Sequence, residues 1–134
     1  MDMQWFMERD AFAALLGIRL VEAAPGYAKT AMDLTDRLKN GAGVAHGGAV
    51  FSLADLALAV ASNSHGRLCL AVSSSISYVK AGMGNTLYAE ARELSLGGKI
   101  ASYGITVTND AGESIAAFQG TVYRKSTPYT RETA

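Results

Sequence analysis

The sequence predicts an α+β domain in which a curved antiparallel sheet wraps one long, buried helix. Three observations point there. Residues 47–62 carry Val50, Leu53, Leu56, Leu58 and Val60, intervals that cover most of a helix surface with apolar side chains. Strand-like segments flank this run and meet at short turns rich in Gly, Pro, Asn and Asp. The later strands follow one another with no helical crossover between them, which disfavours a parallel α/β sheet.

Taken in order, residues 4–16 (QWFMERDAFAALL) read as one short amphipathic helix stopped by Gly17. Ile18 to Ala24 and Tyr27 to Leu34 read as two strands joined by the turn Pro25-Gly26. Thr35 to Ala45 is a glycine-rich loop. The long helix follows from Gly47 to Ser62, and Asn63, Ser64, His65 and Gly66 end it, with His65 expected at the surface. Leu68 to Val79, Thr86 to Ser95, Ile100 to Thr108 and Ser114 to Arg124 read as strands. Gly97-Gly98 is expected to form a two-residue hairpin turn, and Asn109 to Gly112 the next turn. The tail from residue 125 to 134 is polar and is expected to fray.

Composition bounds the function. A chain of 134 residues with 49% hydrophobic and 18% charged residues suits one globular domain. Twelve basic residues balance twelve acidic ones, which argues against a nucleic-acid surface. Cys69 is the single cysteine. An intrachain disulfide is therefore excluded, a reducing, cytoplasmic location is the expectation, and Cys69 reads as a small buried hydrophobe in a strand. The opening MDMQWFMERD carries acids and lacks a long apolar core, unlike a signal peptide. No uncharged apolar window is long enough to span a membrane.

The chemistry gathers in residues 40–63, NGAGVAHGGAVFSLADLALAVASN. If Gly47 and Gly48 start the helix, their N–H groups lack intrahelical partners and suit an oxygen that gains charge in a transition state. Asp55 is a carboxylate within an apolar helix, costly unless paired or used. It lies eight residues beyond Gly47, roughly 12 Å along the axis at helical rise. A base and an oxyanion donor must both reach one reacting centre. One copy of the helix cannot supply both, whereas two antiparallel copies related by a twofold axis can. A sheet of this kind also leaves an edge strand that edge-to-edge dimerisation would cover.

Asn40, five residues, His46-Gly47-Gly48, then Asp55 nine residues after the histidine resembles the signature of hotdog-fold acyl-CoA thioesterases of the phenylacetate-degradation type. The likeness runs from about Phe12 to Arg124 and includes SISYVKAG and the closing FQGTVYR. It implies a homodimer with shared active sites, assembled into a homotetramer, and hydrolysis of aromatic or medium-chain acyl-CoA. It also implies that no metal or cofactor is needed, coenzyme A being part of the substrate.

The resemblance implies a role for each candidate, beside an ordinary structural one. Asp55 is then a general base or a direct nucleophile; otherwise it is a carboxylate tying two helices together. Gly47 is the backbone donor to the thioester oxygen, and Gly48 allows close approach. Asn40 donates to the carbonyl or holds the water, though Asn before Gly is also a common turn residue. His46 anchors the loop or hydrogen-bonds near the thioester. With only His65 besides, and no cysteine cluster, it gives little metal signal. Among Ser73, Ser74 and Ser75, Ser73 is the candidate to hold the water. Lys80, Arg92, Lys99 and Arg124 are candidates for the coenzyme A phosphates, or else solvated strand charges. In the resembled family the N-terminal segment can line the acyl pocket, which brings in Trp5, Phe6 and Phe12. A hydratase or dehydratase on the same fold, or a non-catalytic acyl-CoA-binding module, are the alternatives.

Overall fold

The computed structural model describes residues 2–134. Two short helices, α1 (Gln4–Glu8) and α2 (Ala11–Leu16), precede the hairpin β1 (Arg19–Ala24) and β2 (Tyr27–Asp33). A single 3₁₀ turn (Asp36–Leu38) leads to the long helix α3 (Gly47–Asn63), and four strands follow: β3 (Arg67–Tyr78), β4 (Thr86–Leu96), β5 (Ile100–Asn109) and β6 (Ser114–Pro128). The strands form one antiparallel sheet in the order β1-β2-β4-β5-β6-β3. This is the expected sheet around a central helix. No helix among the described residues is long and apolar enough to cross a membrane.

Alternation along the strands places the core. Leu87, Ala89 and Ala91 on β4, then Tyr103, Ile105 and Val107 on β5, are buried beneath α3. Many of these inward positions are Ala or Gly, which lets the helix lie close to the sheet. At Gly120 a β-carbon would come within 2.5 Å of Leu58, so even alanine would force a shift there. The buried Thr30 hydroxyl donates to the Leu53 carbonyl at 3.1 Å, tying β2 to the middle of the helix. Asn63 closes the other end: its amide donates to the Cys69 carbonyl and its oxygen accepts from the Cys69 N–H. Cys69 is itself buried, and burial raises its thiol pKa.

Four local expectations are corrected. The N-terminal helix breaks in two, because Asp10 accepts from the Ala13 N–H at 2.9 Å and starts α2 as its N-cap. The β4–β5 register pairs Leu96 with Ala101, and the Gly97 N–H donates to the Ile100 carbonyl. The two-residue turn is therefore Gly98-Lys99. His65 is not a free surface residue, since its Nε2 lies 2.7 Å from the Glu93 carboxylate, with both side chains largely covered.

The tail at 125–134 is not frayed. β6 runs on to Pro128, and the Tyr129 N–H then donates to the Gly66 carbonyl at 2.8 Å. The Tyr129 ring packs edge-on against Trp5 and Phe6, at 5.4 and 6.2 Å between centroids. One aromatic anchor outweighs the polar composition around it. Tyr129→Ala is accordingly expected to lower the unfolding free energy by roughly 1–2 kcal/mol. Urea denaturation checks this; an unchanged midpoint would mean that the tail contributes nothing.

Candidate active site

The loop before α3 is built by its own side chains. The Asn40 Oδ1 accepts from the Ala42 and Val44 N–H groups at 2.9 and 3.3 Å. Asn40 is thus the turn residue its sequence context suggests, but only through its oxygen. Among the described residues its amide nitrogen meets no acceptor, which leaves both hydrogens to give. The His46 N–H donates to Leu38 and the Ala45 N–H to Gly82, which lashes the loop to the 3₁₀ turn and to the segment after β3.

His46 is the N-cap of α3. Its Nδ1 accepts from the Gly48 N–H at 2.9 Å, so that nitrogen carries no proton. The Gly48 amide is therefore spent on the cap. The Gly47 N–H opens the helix and, among the described residues, meets no acceptor. A β-carbon on Gly48 would sit 3.0 Å from the His46 ring, and one on Gly47 3.3 Å from the Tyr78 ring. At both glycines a β-carbon would press on a ring, which would have to give way.

Gly47 and Asn40 line one cavity of about 410 Å³, together with Val50, Tyr78, Lys80 and Ile115. Asp55 lines another, of about 280 Å³, with Phe6, Asp10, Leu58, Leu70 and Tyr129 among its walls. The two share no residue. Asp55 is half-buried, and burial first, then the Asp10 carboxylate, raises its pKa above the ordinary carboxylate range. No hydrogen bond contributes to that shift. Among the described residues no hydrogen-bond donor or cation pairs with the Asp55 carboxylate, so no such pairing makes it a merely structural group there.

Other candidates are dispersed. Ser73 does not line the Asp55 cavity. A register shift between Ala71 and Ser73 pairs Ser73 with Thr121, while Val122 and Gly120 on either side of Thr121 face the helix. Ser73 accordingly projects from the outer face, Ser74 takes the inward position, and it is Ala71 that lines the cavity of Asp55. Of the basic candidates, Lys80 alone reaches the Gly47 cavity, where it pairs with Glu113. Arg92 stacks over Tyr27 at 5.0 Å and pairs with Glu90. Lys99 sits in the β4–β5 turn, at the end of the sheet away from Tyr78, and Arg124 holds that turn by donating to the Gly97 carbonyl. Trp5 and Phe6 join the tail cluster, and Phe12 lies beside His46 and Ser52. Among the described residues no three His, Cys, Asp or Glu side chains gather as metal ligands.

Two residues escaped sequence reasoning. Asp10 had a legible signal, an N-cap residue before an apolar run. Tyr78 had none, since a tyrosine ending a strand reads as ordinary packing.

Asp55 links pH to stability. Its pKa is 3.8 in the ordinary state and higher in the fold. Below 3.8 native and unfolded chains both hold the proton, and the folded form keeps its full advantage. As pH rises through the raised native pKa, the carboxyl must ionise in its desolvated site and that contribution is lost. Asp55→Asn should then be more stable than wild type at pH 7, with the gain shrinking toward pH 4. Urea midpoints at a series of pH values check this; a gain that does not change with pH would contradict it.

Comparison with known proteins identifies the family. Residues 42–116 match the family model of the thioesterase superfamily. A relative from Archaeoglobus fulgidus is 49% identical over 121 residues, which cover 90% of this chain and 79% of that protein. The acyl-coenzyme A thioesterase PaaI of Escherichia coli is 36% identical over 118 residues, covering 87% of this chain and 84% of that protein. The solved structure of E. coli PaaI, from the phenylacetic acid degradation operon, matches with a TM-score of 0.89 at 34% identity, over 93% of this chain and 91% of that one. A variant of the phenylacetic acid degradation protein PaaI from Thermus thermophilus matches with a TM-score of 0.82 at 36% identity, over 87% and 100% of the two chains. The chain belongs to the thioesterase superfamily and is a thioester hydrolase on the hotdog fold, of the PaaI-like type.

Proposed function

We propose that this chain hydrolyses acyl-CoA thioesters at a site completed by two copies of itself. The observation that carries the reading is the separation of Gly47 and Asp55. They stand on one helix but line different cavities, and each is half of a hydrolytic site. The donor half is ready-made, with the Gly47 N–H and the Asn40 amide beside one cavity. The basic half is a half-buried carboxylate whose raised pKa suits a general base.

A twofold arrangement supports joining the halves. Among the described residues β3 pairs on one side alone, with β6. Leu70 and Val72 on it are 53% and 61% exposed, an apolar edge that a second copy would cover. The least buried line along α3 runs through Gly48, Ser52, Asp55 and Ala59, spacings that fall on one helical face. Antiparallel pairing there sets Asp55 of one copy against Gly47 of the other.

In the reaction the thioester oxygen receives the Gly47 N–H and the Asn40 amide, which stabilise the charge it gains. Asp55 from the second copy takes a proton from water, and the water oxygen bonds to the carbonyl carbon. The tetrahedral intermediate collapses, the C–S bond breaks, and coenzyme A leaves as thiolate to be reprotonated. Direct attack by Asp55, giving an anhydride that water then cleaves, uses the same geometry. Neither route needs a metal or cofactor. The apolar and aromatic walls around Asp55 suit an aromatic acyl group such as phenylacetyl, or one of medium chain, and the operon of the E. coli relative supports the aromatic choice. Lys80 is the cation at the donor cavity, whereas Arg92 and Lys99 line neither cavity. A homotetramer of two such dimers, in the cytoplasm, completes the proposal.

The test is thiol release from a panel of aromatic and aliphatic acyl-CoAs. Asp55→Asn should lose roughly 10²–10⁴ of kcat, and the acid limb of the wild-type profile should lie above pH 3.8. Binding without thiol release would favour a non-catalytic module.

Mixing tests the shared site. Asp55→Asn and Asn40→Ala chains, each nearly inactive, should recover about a quarter of the wild-type rate when co-refolded. Half of random dimers are mixed, and each mixed dimer holds one intact site. No recovery would place the whole site within one chain.

A further inference from the structure

Tyr78 ends β3 beside the helix start, and its hydroxyl donates to the Gly47 carbonyl at 2.9 Å. The same peptide unit is gripped at its other end, where the Gly48 N–H donates to His46 at 2.9 Å. The preceding peptide is held too, the His46 carbonyl accepting from the Ala49 and Val50 N–H groups. Gly47 lies between these two peptide planes. Glycine has the widest backbone freedom of any residue, so without such anchors its N–H would wander.

The Tyr78 side chain is an unusual choice for mere packing. It is 53% exposed. Its ring lies so near the Gly47 backbone that a β-carbon there would sit 3.3 Å away and press on it. The strand end that carries it is fixed, because the Val79 and Lys80 N–H groups both donate to the Ile115 carbonyl. Tyr78 also lines the cavity that holds Gly47 and Asn40.

We propose that Tyr78 is a positioning residue for thioester hydrolysis, its hydroxyl holding the Gly47 carbonyl so that the Gly47 N–H stays aimed at the substrate oxygen. This rests on the thioesterase reading above and assigns Tyr78 no bond to the substrate. An oxyanion donor is effective when it needs no reorganisation as charge develops, and small errors in aim cost rate steeply.

The test compares Tyr78→Phe and Tyr78→Ala with wild type in the full-length assembly. Tyr78→Phe keeps the ring and removes the hydrogen bond. It should lower kcat on the order of tenfold, leave KM within about twofold, and leave the melting temperature and assembly size unchanged. Backbone hydrogen exchange should quicken in the same variant at Gly48, whose N–H is bonded to His46 within the peptide that Tyr78 grips. Wild-type kcat and wild-type exchange in Tyr78→Phe, with a loss in Tyr78→Ala alone, would overturn the proposal and leave the ring as simple packing. A rise in KM at constant kcat would overturn it as well, making Tyr78 part of the binding wall. Failure of wild type to release thiol from any acyl-CoA would instead overturn the thioesterase reading, and exchange at Gly48 would still report whether Tyr78 holds the Gly47–Gly48 peptide.

Discussion

The close seating of α3 on the sheet is the constraint from which the other features follow. It is made by subtraction: Gly120 under Leu58, and alanines at 89, 91 and 101 where larger side chains would lift the helix away. Interiors pack at crystal-like density, so this closeness admits few alternative positions. Thr30 and Asn63 then supply polar ties at the middle and end of the helix, each satisfied within the core. With the helix held this firmly, its first turn has a defined place relative to the strand ends, and groups there can be aimed.

Aim is what the helix start provides. Of the amides opening α3, one is consumed by the His46 cap and one stays free. The loop glycines let the backbone pass close to the Tyr78 and His46 rings, and those rings hold the glycines in turn. Meanwhile Asp55 is left without a neutralising partner in a partly desolvated place. The cold shoulder of the helix, polar where its neighbours are apolar, lies beside an uncovered strand edge. Catalytic potential and unsatisfied surface coincide, and this gives the single chain its look of an incomplete object.

Much of this was legible in the residues. Hydrophobic spacing located α3 and alternation located β4 and β5, because each element buries one face against one neighbour. The distance between Gly47 and Asp55 followed from helical rise alone. Where the sequence misled, a tertiary contact decided. Tyr129 found Trp5 and Phe6 from the far end of the chain and ordered a tail of polar composition. His65 found Glu93 across the sheet. The bulge at Val72 reversed the sense of the serines after it, an offset that counting along a strand cannot anticipate. Tyr78 was invisible because its value lies in a carbonyl thirty-one residues away.

The tail latch has a consequence for how such a protein can change. Phe6, Asp10 and Tyr129 all border the cavity of Asp55, yet they come from the two extremities of the chain. Both stretches are tied down by local contacts, Asp10 as the cap of α2 and Tyr129 by packing on Trp5 and Phe6. The walls around the carboxylate can thus be redrawn by substitutions in α1, α2 or the segment after β6, while the loop and helix between them stay as they are. On the proposed site, a lineage built on this plan would explore new acyl groups without reopening the question of how to break the bond.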